Sequence, residues 1–421
     1  MAQTKPKAAQ FYGVSGNGTA GQVLISDGNG GMSWGANTEE FTVSWATPTG
    51  QGLTYTQPSP QSSVGIAGST FPTTTFTATK SGEEIIGTAT IAGLPTGITA
   101  TQSLSGSGVD NILTVTLAGA FPGADSLNTA LTISGLTVVM PLSVDYLVVA
   151  GGASGGAGYY AGGGGAGGYR TSYGDATVSA LLLYPATNYT VTIGAGAAAQ
   201  SSQTTVGNSG NNSVFTTITS AGGGGGGSRN EGGSTGPRAG LAGGSGGGTA
   251  YGHAGGAGNT PSVTPSQGNS GGQAITGNTY GSGGGGATAV GGGTNTNSNG
   301  GAGAANSITG SSVTYAGGGG GGGYEPNYAT GTGGAGGGGN GGDFGSGAAA
   351  TAGTANTGGG GGGGGGPSGS ANNGAAGGSG VVILRYPNTF TISGLSGTTI
   401  TSGSDKITTF TNVGTGTIQF N

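Results

Sequence analysis

Hydrophobic and polar residues alternate in short runs between positions 41 and 145, and this alternation predicts β-strands. The runs occupy residues 41–45, 73–79, 85–91, 112–117 and 131–133. Because successive side chains of a strand point to opposite faces, a period of two indicates strands with one buried face. Turn residues such as Pro and Gly separate the runs. The spacing predicts an immunoglobulin-like β-sandwich over residues 41–145.

Longer apolar runs frame and interrupt the second part of the chain, where glycine dominates. They occupy residues 144–150, 178–184, 189–193, 213–219 and 381–386. No run has the 3.6-residue period of an amphipathic helix, so the predicted fold class is all-β. The composition divides the chain into an N-terminal segment (1–40), the sandwich (41–145), a glycine-rich domain (146–387) and a C-terminal β segment (388–421).

Glycine accounts for 110 of the 421 residues, in runs that include 162–165, 222–227, 317–323 and 358–366. A flexible linker is one interpretation, because glycine loses more backbone entropy on folding than any other residue. Linkers of this length are uncommon, however, and apolar strands interrupt this one. Polyproline II-type helices without side chains could instead pack side by side and pair their outward-pointing N–H and C=O groups. The sequence predicts such a polyglycine II-like domain framed by β-strands, and the strict Gly-X-Y period of collagen is absent.

Several sequence blocks occur in a recognisable order. They are VDYLVVAGG (144–152), GGGGAGGYRT (162–171), YTVTIGAG (189–196), NNSVF (211–215), ITSA (218–221) and GSGVVILRY (378–386). Together they resemble the glycine-rich domain of phage tail proteins. The block GTAGQVLIS (18–26) is similar to a short module of tail fibres, and AGLPTGI (92–98) resembles a bacterial immunoglobulin-like repeat. The resemblance implies a polyglycine II-like core in a virion protein, often an adhesin.

Charge and cysteine content narrow the classes of function. Charged residues make up 5% of the chain, and the eight Lys and Arg residues are scattered from Lys5 to Lys406. No basic stripe is available for phosphate contacts, so we expect no nucleic-acid partner. The absence of cysteine excludes disulfides and thiolate metal sites and fits assembly in a reducing host cytoplasm. We expect no secretory signal and no membrane insertion, because the apolar stretches are too short.

Patterns that could support catalysis are weak. Residues 16–21 match G-x-G-x-x-G, but a strand follows them where a dinucleotide site needs a helix. His253 is the only histidine, and no nucleophile elbow or orienting acid surrounds it. The acid pairs at 39–40 and 83–84 lie at strand edges, where adjacent side chains face opposite ways. We therefore expect no catalytic residue, no cofactor and no metal site.

Tyrosine provides the candidates for binding. Tyr146, Tyr184, Tyr189 and Tyr386 lie in apolar runs, where we expect them to pack. Other tyrosines lie between glycine runs, and rigid aromatic side chains among Gly, Ser and Asn are typical of recognition loops. The alternative, given equal weight, is that each tyrosine caps the end of a glycine segment. The candidate receptor-binding residues are Tyr159, Tyr160, Tyr169, Tyr173, Tyr251, His253, Tyr324 and Tyr328.

The resemblance predicts a bacteriophage structural protein at the virion surface, either a tail fibre or an appendage that adheres to the host. We expect residues 1–40 to bind other virion proteins, and we expect the receptor to be a host cell-surface glycan or an outer-membrane protein. Closed symmetry is the norm for homo-oligomers, and a homotrimer is the hypothesis here. The alternative is a capsid decoration or head-fibre protein. A polysaccharide-degrading tailspike is less favoured, since such enzymes need convergent carboxylates.

Overall fold

A computed structural model shows the chain as β-strands joined by glycine-rich coil. The structure describes residues 22–26, 32–36, 40–106, 108, 110–230, 238–274, 280–293, 297–323, 330–366 and 372–421. This part of the chain contains no α-helix, which confirms the all-β prediction. Contacts within the chain divide it into two compact units, Met1–Pro141 and Leu142–Asn421.

The first unit has eleven strands among the described residues. They are β1 (Gln22–Ser26), β2 (Met32–Ala36), β3 (Glu40–Trp45), β4 (Thr54–Tyr55), β5 (Ser62–Ile66), β6 (Thr70–Thr79), β7 (Glu84–Ala92), β8 (Ile98–Ser105), β9 (Ile112–Ala120), β10 (Ser126–Thr129) and β11 (Thr132–Val139). β1 and β2 pair with each other. The remaining strands form the sheets β10–β3–β5, β11–β7 and β4–β6–β9–β8. Every pair is antiparallel except β3 with β10.

Side chains from these three sheets meet in a single core. Alternate residues of β9, including Val115 and Leu117, point into it, whereas the residues between them are partly exposed. Trp45 from β3 is buried there and packs edge-on against the ring of Phe71, with ring centroids 6.1 Å apart. The alternating pattern of the sequence therefore marks the buried face of these strands. The immunoglobulin likeness of this unit stays a prediction.

The second unit has thirteen strands among the described residues. They are β12 (Leu142–Val149), β13 (Tyr169–Thr171), β14 (Leu181–Leu183), β15 (Asn188–Ile193), β16 (Ser213–Phe215), β17 (Ile218–Ser220), β18 (Ala304–Asn306), β19 (Val313–Tyr315), β20 (Val381–Pro387), β21 (Ile392–Gly394), β22 (Thr398–Ser402), β23 (Asp405–Phe410) and β24 (Gly414–Phe420). The apolar run at 213–219 is a tight hairpin of two strands, with Thr216 at a positive φ of 50° in its turn.

Two sheets frame the glycine-rich segments of this unit. One has the order β13–β12–β20–β23–β22, with β14 also paired to β12, and the other has the order β17–β16–β15–β24–β21. The C-terminal strands therefore pair with β20 and β15 and fold into the same unit. Strands β18 and β19 pair with each other as a separate hairpin.

Strand β12 is buried on both faces. On one face it packs against the second sheet, in a core that contains Tyr146, Phe215 and Phe420. On the other face Leu147 packs in a core that contains Tyr315. Burial on both sides explains why residues 146–149 are apolar without alternation.

The run 161–168 shows how the glycine segments are held together. Its N–H groups donate in rotation to three neighbouring segments: residues 161, 164 and 167 to 358–364, residues 162, 165 and 168 to 221–227, and residues 163 and 166 to 282–285. Its carbonyl groups accept, with the same period of three, from the segments 319–322, 150–156 and 245–248. Three residues per turn is the geometry of a polyproline II-type helix. Six chain segments thus surround this run and pair its backbone in every direction.

Close approach of these backbones requires glycine. A Cβ atom added at Gly162 would lie against the carbonyl oxygen of Gly248, and one added at Gly163 against that of Gly319. In both cases the distance from the added Cβ to the carbonyl oxygen is below 3.0 Å, which real Cβ atoms essentially never show. The glycine runs are therefore packed elements, and the polyglycine II-like arrangement predicted from the sequence is present.

Candidate functional site

The described candidate tyrosines fall into two groups at the ends of glycine segments. Tyr159, Tyr160 and Tyr251 lie around Arg229, and Tyr169 and Tyr173 line a groove beside β13. The other two candidate tyrosines, Tyr324 and Tyr328, lie outside the described residues. The candidate His253 is exposed, two residues beyond Tyr251, and its side chain makes no hydrogen bond to the described residues.

The backbone fixes the position of Arg229. Its N–H donates to the Ala157 carbonyl at 3.1 Å, and its carbonyl accepts from the Tyr159 N–H at 3.1 Å. These bonds continue the lateral pairing between two glycine segments, the one that ends before Ala157 and the one that ends before Arg229. Arg229 therefore stands at a defined end of the glycine lattice and not in an unconstrained loop.

The side chain of Arg229 forms a cluster with two aromatic rings and a second arginine. Its guanidinium carbon lies 4.9 Å from the ring centroid of Tyr160 and 4.3 Å from that of Tyr251. The guanidinium carbon of Arg238 lies 5.3 Å from the same Tyr251 centroid. We call Tyr160, Arg229, Arg238 and Tyr251 the arginine cluster. Cation–π contacts of this kind hold planar guanidinium groups in place.

The side chain of Arg229 has no carboxylate partner among the described residues. Its Nε and Nη1 atoms are buried and have no hydrogen-bond partner among the described residues. Burial lowers the pKa of Arg229, Arg238 lowers that pKa further by repulsion, and the two tyrosines act in the opposite direction. Buried N–H groups without acceptors cost free energy, and that cost is larger for charged groups. The cluster thus places two positive groups beside two aromatic rings.

The second group forms a groove of about 600 Å³. Its lining residues are Tyr169, Thr171, Tyr173, Gly174, Asp175, Ala176, Thr177, Ala305, Asn306 and Ser307. Asn306, at the end of β18, donates from Nδ2 to the Tyr169 hydroxyl at 2.9 Å and to Thr171 Oγ1 at 3.3 Å. The hairpin β18–β19 and strand β13, although distant in sequence, therefore build one groove.

The groove combines a charged carboxylate with neutral hydroxyl and amide groups. Hydrogen bonds from the Thr177 hydroxyl and N–H, at 2.7 and 2.8 Å, lower the pKa of Asp175. Burial raises the pKa of Tyr169, against a smaller lowering by Asn306, so its phenol is neutral at physiological pH. Hydroxyl, amide and carboxylate groups beside an aromatic ring can hydrogen-bond and stack against a sugar.

Tyr173 serves the fold as well as the groove. Arg385 Nη1 donates to its hydroxyl at 3.3 Å, and the Arg385 guanidinium carbon lies 5.1 Å from its ring centroid. Arg385 in turn pairs with Asp405, with 2.8 Å between Nε and Oδ2. The interpretation of loop tyrosines as structural caps therefore applies to this residue in part, because one surface of the ring packs inward.

Apart from His253, the patterns weighed for catalysis lie away from both groups in sequence. The carboxylate of Glu84 accepts a hydrogen bond from the Gly108 N–H at 3.0 Å. The segment 16–21 is outside the described residues. Within the part of the chain that the structure describes, no three His, Asp or Glu residues form a group suited to a metal ion. No helix long and apolar enough to cross a bilayer occurs among the described residues.

The sequence reasoning missed the polar members of both groups. Arg229, Arg238, Asp175 and Asn306 did not stand out in it, although charged residues make up only 5% of the chain. That scarcity was the available signal, since an arginine beside a glycine run needs a reason to be there. Asn306 gave no such signal, because Asn is common in these loops.

Comparison with known proteins identifies a family to which the chain is similar. The sequence profile of a family described as a glycine-rich domain matches residues 129–387, more than half of the chain. No curated protein and no solved structure matches the chain.

Proposed function

The chain belongs to the glycine-rich domain family, and on that premise we propose that it is a bacteriophage virion structural protein without enzymatic activity. In this proposal it is carried on the virion surface as a tail fibre or related appendage and attaches to the host cell. Residues 1–40 join it to other virion proteins. The receptor is a glycan of the host surface.

The observation that carries the proposal is the six-fold surrounding of the run 161–168 by hydrogen-bonded segments. Such a lattice is rigid, because its backbone groups are paired laterally and its segments touch without intervening side chains. Rigid scaffolds that present loops are common in recognition proteins, since preorganised loops lose little entropy on binding. A lattice of this kind suits a protein that works outside the cell as a stiff support.

The groove beside β13 supports the attachment part of the proposal. Its tyrosine, amide and carboxylate groups match the ring faces and hydroxyl groups of a sugar. Its volume of about 600 Å³ falls in the range of small-ligand sites. A glycan is therefore favoured over an outer-membrane protein as the receptor.

Particle composition tests the structural part. Particles released by bacteria that carry the gene are purified and probed with antibody-linked gold. We expect label at the tail, and label on the head would favour a capsid decoration or head-fibre protein instead. A variant without residues 1–35 should stay soluble and be missing from particles. Absence of the protein from purified particles would overturn the proposal.

A matched pair of variants tests the groove. Ala176 is exposed and lines the groove, whereas Ser179 is exposed and does not line it. We expect Ala176→Trp to block the groove and reduce adsorption to host cells, and Ser179→Trp to leave adsorption unchanged. Equal adsorption of the two variants would remove the groove from the proposal. Release of oligosaccharide from host glycans by the wild-type protein would contradict its non-enzymatic character.

A further inference from the structure

We propose that the arginine cluster binds the anionic group of an acidic glycan, a carboxylate or phosphate carried on a sugar. This inference rests on the proposed attachment function and names the chemistry of a second contact point, distinct from the groove. It assigns the charge recognition to Arg229 and Arg238 and the contact with the sugar ring to Tyr160 and Tyr251.

The first step is the charge balance of the cluster. Arg385 with Asp405 is the only ion pair among the described residues, so neither Arg229 nor Arg238 has a carboxylate partner there. Both guanidinium groups instead share the ring of Tyr251, at 4.3 and 5.3 Å from its centroid. Two like charges on one ring repel each other, and a bound anion would remove that repulsion.

The second step is the lack of acceptors. The buried Nε and Nη1 atoms of Arg229 have no partner among the described residues. A carboxylate or phosphate presents several acceptor oxygens in a plane or tripod, which matches the donor fork of a guanidinium. An anion that enters beside the tyrosine rings would supply acceptors to these N–H groups. A neutral sugar hydroxyl supplies weaker, uncharged acceptors.

The third step is the preorganisation of the site. Arg229 is fixed through its backbone bonds to Ala157 and Tyr159, and its side chain is held against two rings. Tyr160 and Tyr251 adopt positive φ angles of 52° and 46°, uncommon for residues other than glycine. Non-glycine residues in this region of φ occur preferentially where the surroundings impose the conformation, and functional sites are among such places.

The arginine cluster and the groove carry side chains of opposite charge. The groove contains the carboxylate of Asp175, whose hydrogen bonds favour its charged form. The cluster contains two positive groups and no described carboxylate. The carboxylate of Asp175 therefore disfavours the charged group of an acidic glycan in the groove, whereas the two arginines favour that group at the cluster.

The experiment measures binding of three oligosaccharides of equal length to the purified full chain by calorimetry. The probes are oligogalacturonate (carboxylate), a phosphorylated mannan fragment (phosphate) and a dextran fragment (neutral). We expect the acidic probes to bind at least about tenfold more tightly than dextran, with affinity that falls as salt is raised. The stronger of the two acidic probes identifies the anionic group.

Variants assign the effect to the cluster. We expect Arg238→Gln and Arg229→Gln each to weaken binding of the acidic probe by about tenfold, as loss of a charge-assisted hydrogen bond predicts. Lys80→Gln removes one positive charge in the first unit and should bind as wild type does, which controls for the change in net charge. Thermal unfolding of each variant shows whether it is folded. If Arg229→Gln fails to fold, Arg238→Gln alone carries the test.

Two outcomes overturn the inference. One is equal affinity for the acidic and neutral probes, and the other is an equal effect of Arg238→Gln and Lys80→Gln. Failure of this inference and failure of the proposed function can be told apart. The proposed function fails if the protein is absent from particles, and that result does not depend on how the Arg238 variant binds the probes.

Discussion

The Gly164 N–H donates to the Gly361 carbonyl at 2.8 Å, although neither residue belongs to a strand or a helix. The two residues belong to glycine runs that lie far apart in sequence. The Gly361 N–H donates in turn to a third segment, at the carbonyl of Ala153, also at 2.8 Å. The stability of this unit therefore depends on backbone bonds between segments that no sheet contains.

A side chain inside the lattice should be strongly destabilising. A Cβ added at Gly362 would overlap the Asn340 carbonyl oxygen. We expect Gly362→Val to lower the free energy of unfolding of the second unit by about 3 kcal/mol or more, because the backbone must move. Ser262→Val, at an exposed position, is the control. Equal urea midpoints and equal protease resistance for the two variants would indicate a linker instead of a lattice.

The last strand should be essential to the second core. Phe420 is fully buried, with its ring centroid 5.2 Å from that of Tyr386 and 6.1 Å from that of Tyr189. We expect Phe420→Ala to cost about 3–5 kcal/mol, from lost burial and the cavity left behind. Val413 is 55% exposed, so Val413→Ala should change stability by less than about 0.5 kcal/mol. Chemical denaturation followed by far-UV circular dichroism measures both, and similar costs would contradict this role of β24.

A buried asparagine completes the pairing of β7 in the first unit. Asn111 accepts from the Ile85 N–H at 2.9 Å and donates to the Ile85 carbonyl at 2.8 Å, as a strand neighbour would. We expect Asn111→Ala to cost about 1–3 kcal/mol, because both backbone groups of Ile85 lose their partners. Ser103→Ala, at an exposed site of β8, is the control. If denaturant titration gave the same free energy of unfolding for Asn111→Ala as for the wild type, water would have replaced the side chain as the partner of Ile85.

Alkaline pH should weaken the first unit through Tyr55. Burial raises the pKa of Tyr55 from 10.0 to about 12, and its hydroxyl donates to the Gly50 carbonyl at 2.8 Å. Between these values the unfolded chain releases the phenol proton while the folded chain retains it. The stabilisation is therefore complete below pH 10 and is lost as pH rises toward 12.

Tryptophan fluorescence follows this unit, since both tryptophans, Trp34 and Trp45, lie in it. Urea midpoints at pH 9 and pH 11 should fall more steeply for wild type than for Tyr55→Phe, which has no proton to release. Parallel declines would assign the alkaline loss to other groups.

Local pattern was enough to predict the strands but not the partners of the glycine runs. Residues 112–117 alternate and lie within β9, because burial of one face leaves a period of two in the sequence. The runs 222–227 and 358–366 look alike, so nothing in them shows that both contact 161–168. Backbone pairing carries no side-chain code, and the arrangement of the lattice was therefore not predictable.

The tyrosines of the candidate site could be predicted from the sequence, but the polar residues that join them could not. Tyr169 and Tyr173 were identified from their position between glycine runs, and they do line a groove. Asn306 joins that groove through the β18–β19 hairpin, a contact between distant segments. Arg229 reaches Tyr160 and Tyr251 only because the lattice brings their three segments to one place.

The neighbours of the run 161–168 also set the order of events during synthesis. That run remains incompletely paired until residues 358–364 have left the ribosome. Strand β15 cannot pair with β24 until residues 414–420 have also emerged. At translation rates of about 5–20 residues per second, the glycine segments spend many seconds as an open chain. The first unit contains all its own strand partners and can fold in that interval. The nascent chain therefore carries one folded unit ahead of a second that closes only after β24 has been synthesised.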